Sequence, residues 1–341
     1  MFRTLRPLVF ALDPERAHGL TLAALRSGFV PRSPADDPIL RTVVAGLALP
    51  NPIGLAAGFD KDVLVPDGML RLGFGFVECG SVTPRPQDGN PKPRLFRLVE
   101  DAAVINRMGF NNLGLEHAVT RLQARRSQAG VVGINLGANK DSSDRTADYV
   151  IGVRAAAALA SYVTVNISSP NTPGLRALQD SAALTDLVAR VMAARGSIAV
   201  PLFVKVAPDL APADFDALAR IAIDGGVDGL IVANTTISRP ALISRHAGET
   251  GGLSGAPLKA LAMAALTGFA KATGGQLPLI AAGGIASGAD AYARIRAGAS
   301  AVQLYSALVY EGPGLVQRIK VDLAELLRRD GFASVGAAVG G

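Results

Sequence analysis

Between residues 50 and 328 the chain passes eight times from a short apolar run to a longer helix-like segment. The runs are Ile53–Ala56, Phe76–Cys79, Val131–Asn135, Val163–Ile167, Leu202–Val206, Gly229–Ala233, Leu279–Ala282 and Ala301–Leu304. Several are rich in β-branched residues and end at Gly and polar residues, so they read as strands buried on both faces. Helix-like segments lie near 64–72, 112–128, 146–160, 181–195, 212–224, 257–272, 288–297 and 313–329. Pro212, Pro257 and Pro313 each fall where a first helical turn would begin, a position at which a missing N–H costs nothing. Eight β/α units fold most simply as a closed (β/α)8 barrel of the α/β class. A doubly wound open sheet would more naturally carry a dinucleotide fingerprint after its first strand, and none is present.

The first 45 residues stand outside this repeat. Met1–Leu12 and Pro14–Phe29 read as two short helices separated by Asp13-Pro14. Phe2, Leu5, Val9 and Leu12, then Ala17, Leu20 and Ala24, recur at helical spacing, with Arg3, Arg6, Arg16 and Arg26 among them. An apolar stripe with basic flanks suits a helical pair lying on an anionic membrane, and equally a plug packed on the barrel's open end. The expected organisation is a helical extension at 1–45, a barrel at 46–335 and a flexible tail at 336–341.

Composition narrows the chemistry. A single cysteine, Cys79, excludes an intrachain disulfide framework, and three scattered histidines (His18, His117, His246) argue against a metal centre. The net charge of +6 favours anionic partners, but no Lys/Arg run of nucleic-acid type occurs. No apolar run is long enough to span a membrane, and no signal peptide with a small-residue cleavage site is evident.

In a barrel, function sits at the C-terminal ends of the strands. Those ends carry Ala57-Gly58-Phe59-Asp60-Lys61, then Gly80-Ser81-Val82-Thr83, then Asn135 with Asn139 and Lys140. Next come Asn166-Ile167-Ser168-Ser169-Pro170-Asn171-Thr172-Pro173-Gly174, Lys205 with Ala207-Pro208-Asp209, Asn234-Thr235-Thr236, Gly283-Gly284 and Tyr305-Ser306. Almost every strand delivers an amide, a hydroxyl or an ammonium to one rim. Gly251–Gly255, Gly283-Gly284 and Tyr305-Ser306 could turn backbone N–H groups toward a phosphate. The stretch 166–174, stiffened by Pro170 and Pro173, fits a polar substrate site or a plain Asn/Pro/Gly turn. Lys205, inside Phe203-Val204-Lys205-Val206, should reach the barrel mouth, and a buried ammonium requires an anionic partner. No Ser-His-Asp set and no carboxylate pair spaced for hydrolysis is visible. The rim therefore suits a phosphorylated cofactor that carries the chemistry and a small anionic substrate.

Taken in order, these motifs, together with Pro84-Arg85-Pro86-Gln87 and Asn106-Arg107-Met108-Gly109-Phe110-Asn111-Asn112, resemble those of the dihydroorotate dehydrogenases along nearly the whole chain. The resemblance implies an FMN-dependent (β/α)8 enzyme of pyrimidine biosynthesis that oxidises dihydroorotate to orotate. Class 1 members of that family use a cysteine as base in the loop matching 166–174. Here Ser169 stands there instead, as in class 2, and residues 1–45 resemble the class 2 extension that meets the membrane and admits quinone. By the same resemblance Ala57, Gly58, Lys61, Ser81, Asn135, Asn166, Lys205, Gly255, Gly284, Tyr305 and Ser306 would contact FMN. Lys61, Asn106, Arg107, Met108, Gly109, Phe110, Asn166, Asn171, Asn234 and Thr235 would contact the substrate. His18, Arg97 and Tyr305 would line a quinone path. Ser169 would act as base, Thr172 as its proton relay, and Lys205 as the cation stabilising the reduced flavin. Ala233 departs from relatives that carry a hydroxyl there. The implied location is the cytoplasmic face of the inner membrane, held peripherally by the N-terminal helices.

Overall fold

The structure, a computed structural model, describes residues 2–341. Met1 and the side chains of Arg3 and Leu5, expected in the first helix and its stripe, lie outside the described residues. Eight parallel strands close into a barrel: Ile53–Leu55, Phe76–Val82, Val131–Leu136, Tyr162–Asn166, Leu202–Val206, Gly229–Val232, Leu279–Ala282 and Ala299–Leu304. Each pairs with the next in the chain, and Val302 opposite Ile53 closes the ring. The expected runs agree with these strands to within a few residues. Outward-facing Val77, Val163, Val204 and Val302 pack under the surrounding helices, whereas alternate residues point inward.

The inward residues form distinct levels. At the N-terminal end Phe76, Tyr162, Phe203, Ile231, Ile280 and Ala301 cluster with Val44 and Leu49. The latter two come from an antiparallel hairpin, Thr42–Val44 with Leu47–Leu49, which seals the floor. This level depends on glycine. A Cβ on Gly133 would lie 2.2 Å from the Tyr162 ring, so the ring fills the barrel only because Gly133 has none. Two residues further along the same strands the inward positions are Glu78, Asn135, Thr164, Lys205 and Gln303, all buried.

Helices Arg145–Ala156, Ser181–Arg195, Pro212–Asp224, Lys259–Thr273, Gly288–Arg296 and Leu315–Arg329 surround the barrel. Pro212 opens its helix and Pro257 a single 3-10 turn before the next, while Pro313 lies just outside its helix. A three-stranded antiparallel sheet, Leu95–Leu98, Ala103–Asn106 and Gly252–Gly255, caps the C-terminal side. The N-terminal helices are Phe2–Ala11 and Pro14–Arg26, the second capped by Asp13, whose carboxylate accepts from Arg16 N at 3.0 Å. Near the C-terminus Val335–Ala338 is a short helix capped by Ser334, with Val335 and Ala338 buried.

Candidate active site

One large cavity, about 750 Å³, opens at the C-terminal ends of the barrel strands and continues beneath the N-terminal helices. Its inner end is polar. Asn166 closes the fourth strand, and its Nδ2 donates to Ser81 Oγ at 2.9 Å and to Asn135 Oδ1 at 3.1 Å. Its Oδ1 accepts from Ser168 Oγ at 2.9 Å, and Asn234 Nδ2 donates to the same Ser168 hydroxyl at 3.0 Å. Tyr149 fixes the backbone by donating to the Asn166 carbonyl at 2.6 Å. Ser169, next in this loop, is buried and lines the cavity. Asn171 Nδ2 donates to Asn106 Oδ1 at 3.1 Å, which ties the fourth-strand loop to the capping sheet.

Two ammonium groups border this end. Lys61 donates to Asn111 Oδ1 at 2.7 Å. Burial, reinforced by the nearby Arg94 charge, brings its pKa down to about 8. Lys205 is buried, and burial lowers its pKa, partly offset by the carboxylate of Glu78. Glycine lets backbone come close here. Gly284 has φ +71°, and a Cβ on it would meet Lys259 Cα at 2.5 Å. Beside it Ser306 Oγ donates to Ser254 Oγ at 2.8 Å.

The outer end is apolar. Val9, Phe10, Leu22, Leu25 and Phe29 of the N-terminal segment form its wall. Tyr305 stands between the two ends, edge-on to Phe59 at 5.5 Å, and burial pushes its hydroxyl up to about 12. His18 Nε2 lies 2.8 Å from the Phe59 carbonyl, which can only accept, so the ring is protonated at that nitrogen. Burial, with Lys61 nearby, holds His18 down to about 4, so it is neutral at pH 7. Arg97 donates to the Val9, Phe10 and Leu12 carbonyls and lies 4.7 Å over the Phe10 ring, while Arg94 pairs with Glu15 at 2.7 Å.

The cavity thus brings together Ala57, Gly58, Lys61, Ser81, Asn166, Ser169 and Lys205 with Asn234, Thr235, Gly255, Gly284, Tyr305 and Ser306. Asn106, Met108, Gly109, Phe110, Asn171, His18 and Arg97 also line it. Three expected residues do not. Arg107 turns to Glu249 at 2.7 Å and stacks over Phe96, because its strand end faces the 249–250 loop. Asn135 is fully buried behind Ser81 and Asn166, so it acts one layer below the wall. Thr172 is buried off the wall, its hydroxyl without a hydrogen-bond partner among the described residues. Two residues escaped the sequence reading. Asn111 lies next to the expected substrate stretch, and Glu78 is an acid set in an otherwise apolar strand, at an inward register position like that of Lys205. That pairing of registers was its available signal.

A closed (β/α)8 barrel with an amide-rich rim, two cations and glycine-lined turns defines a barrel enzyme with a site suited to anionic ligands. The model of the dihydroorotate dehydrogenase family matches residues 39–327. A dihydroorotate dehydrogenase (quinone) of Erythrobacter litoralis is 62% identical over 100% of this chain and 99% of its own. One from Novosphingobium aromaticivorans is 58% identical over 99% of each. Among solved structures, Eimeria tenella DHODH in complex with ferulenol aligns with TM-score 0.94 at 41% identity, covering 98% of both chains. The ligand-free Eimeria tenella form aligns with TM-score 0.93 at 42% identity, over 96% of this chain and 99% of that one. The chain belongs to the dihydroorotate dehydrogenase family.

Proposed function

We propose that the chain oxidises (S)-dihydroorotate to orotate in pyrimidine biosynthesis, with FMN as hydride acceptor and a membrane quinone as final electron acceptor. The observation that carries this reading is a single cavity with a hydrogen-bonding, cationic inner end and an apolar outer end. A polar substrate and an apolar oxidant can then reach opposite parts of one cofactor.

The donor set fits FMN. Lys205 presents an ammonium that makes no hydrogen bond among the described residues. The turns at Gly255, Gly284 and Ser306 border the same space and suit a phosphate. FMN, when bound, supplies the acceptor for the C6 hydride and passes the electrons on to quinone. Lys61 and the Asn106, Asn171 and Asn234 amides hold the substrate's carboxylate and ring amides. Ser169 Oγ takes the C5 proton and Thr172, in the same loop and with a buried hydroxyl that has no hydrogen-bond partner among the described residues, relays it. No histidine joins them: His18 is committed to Phe59 at the outer end.

Anaerobic addition of dihydroorotate to the FMN-loaded protein tests the reading. We expect the flavin band to bleach at once, and Ser169→Ala to slow the bleaching by roughly 10²–10⁴-fold while FMN stays bound. Unslowed bleaching in that variant removes Ser169 as base, and no bleaching in wild type removes the substrate.

Peripheral attachment to the cytoplasmic face of the inner membrane follows from the same reading. What supports it is the exposure of Leu8, Leu20 and Phe29 on a segment that also carries Arg6, Arg16 and Arg26. Among the described residues no helix is long and apolar enough to cross a membrane. Co-sedimentation with anionic vesicles is expected for the full chain and lost when residues 1–40 are removed; equal sedimentation of both removes this role.

A further inference from the structure

Glu78 is fully buried in the barrel's polar level, yet no role in binding or proton transfer falls to it. Its Oε1 accepts from Asn135 Nδ2 at 2.7 Å. Its Oε2 accepts from Gln303 Nε2 at 2.8 Å and from the Tyr162 and Thr164 hydroxyls at 3.2 Å each. Donors from three other strands converge on it, so both of its oxygens serve as acceptors. Lys205 Nζ lies 4.0 Å from Oε1. That is too far for a hydrogen bond but close enough for charge to act on charge in a buried setting. The N–H donors of Lys205 therefore remain available to the cavity it lines.

Glu78 also fixes orientation. With Asn135 Nδ2 committed to Glu78, Asn135 Oδ1 must face the other way, where it accepts from Ser81 Oγ and Asn166 Nδ2. Asn166 Oδ1 is then turned toward Ser168 and Asn234. The donor–acceptor sense of each amide along this path follows from one acceptor-only group at its end.

We propose that Glu78 is a positioning residue for the reaction: it holds Lys205 as a cation with its donors free toward the cofactor, and it sets the hydrogen-bond sense of the Asn135–Asn166–Asn234 path beside the substrate. The proposal rests on the flavin reading. Burial pulls the proton affinity of Lys205 down and Glu78 pulls it up. The strand neighbours of Lys205, at Asn166 and Ile231, carry no charge. Lys61 lines the same cavity, and Cys79 and Tyr162 beside Glu78 keep their protons because burial raises both.

The test is a double-mutant cycle with Glu78→Gln and Lys205→Met. Each single change leaves a buried partner uncompensated, so each should lower the thermal midpoint, and the double variant should recover most of the loss. A double variant no more stable than Glu78→Gln alone overturns the pairing, even where that single variant folds poorly. In preparations that retain flavin, Glu78→Gln should add a bend to the plot of cofactor midpoint potential against pH. Above the bend Lys205 is neutral and the potential is more negative. A tenfold weaker hold on the reduced cofactor reads as about 30 mV for a two-electron couple. Wild type and the double variant should lack the bend; a Glu78→Gln line parallel to wild type over the whole pH range in which both stay folded overturns the positioning role. A colourless wild type that takes up no FMN overturns the flavin reading instead, and leaves the thermal cycle readable.

Discussion

The two inward levels of the barrel come from the same strands and do opposite work. Phe76 and Glu78, Tyr162 and Thr164, Phe203 and Lys205, and Ala301 and Gln303 are each two residues apart, one level below the other. The lower level is a dry aromatic and aliphatic layer, sealed by the Thr42–Leu49 hairpin and shaped by glycines. On these four strands the upper level replaces the apolar group by a hydrogen-bonding or charged one, and most of those groups are tied together around Glu78. One step of strand register therefore separates stability from chemistry. The lower level should respond to volume and the upper level to charge.

The largest expected effect lies below. Phe203→Ala removes a fully buried ring from the lower level and leaves a cavity among Tyr162, Ile231 and Ile280. Such truncations cost about 3–5 kcal/mol. A urea melt should show that loss, while the folded fraction reduces its flavin with dihydroorotate at the wild-type rate. A large fall in that rate at full folding would mean that the two levels are not separable.

Charge is the test for the upper end. The Lys61 ammonium sits at a pKa of about 8 because it is buried beside Arg94. Raising the pH through that value removes its proton, so the cation that would hold the substrate carboxylate is lost. We expect kcat/KM for dihydroorotate to fall about tenfold per pH unit above pH 8. An unburied lysine would defer the fall to about pH 10.4. A profile flat to pH 9.5 would take Lys61 out of substrate binding.

The contrast between levels also explains what the sequence discloses. The eight strands are legible because both faces of each are buried, which makes them continuous apolar runs ending in polar rim residues. The capping sheet is not: Gly252–Gly255 pairs with Ala103–Asn106, 146 to 152 residues away, and its Gly-Leu-Ser-Gly sequence has no strand signature. Lys205 announces that it needs an anion, but nothing local says that the anion is Glu78, 127 positions earlier. Closing the barrel brings them together. Arg107 shows the converse, a motif residue between the cavity-lining Asn106 and Met108 whose own side chain pairs with Glu249 elsewhere.

Tyr162 sits on the seam, and the smallest effect belongs to it. Its ring packs in the lower level, against Phe76 at 6.3 Å and Phe203 at 5.4 Å, while its hydroxyl donates to Glu78 at 3.2 Å. Tyr162→Phe keeps the ring and removes only the donor. Glu78 retains its bonds from Asn135, Thr164 and Gln303, so the carboxylate keeps its place 4.0 Å from the Lys205 ammonium. The cost should be about 1.5 kcal/mol in the urea melt, the low end for a hydrogen bond to a charged group. The pH dependence of flavin potential should match wild type, unlike that of Glu78→Gln. A bend in the Tyr162→Phe profile would show that the carboxylate's charge needs every donor; its absence would place control of Lys205 in the charge of Glu78 rather than in the bonds around it.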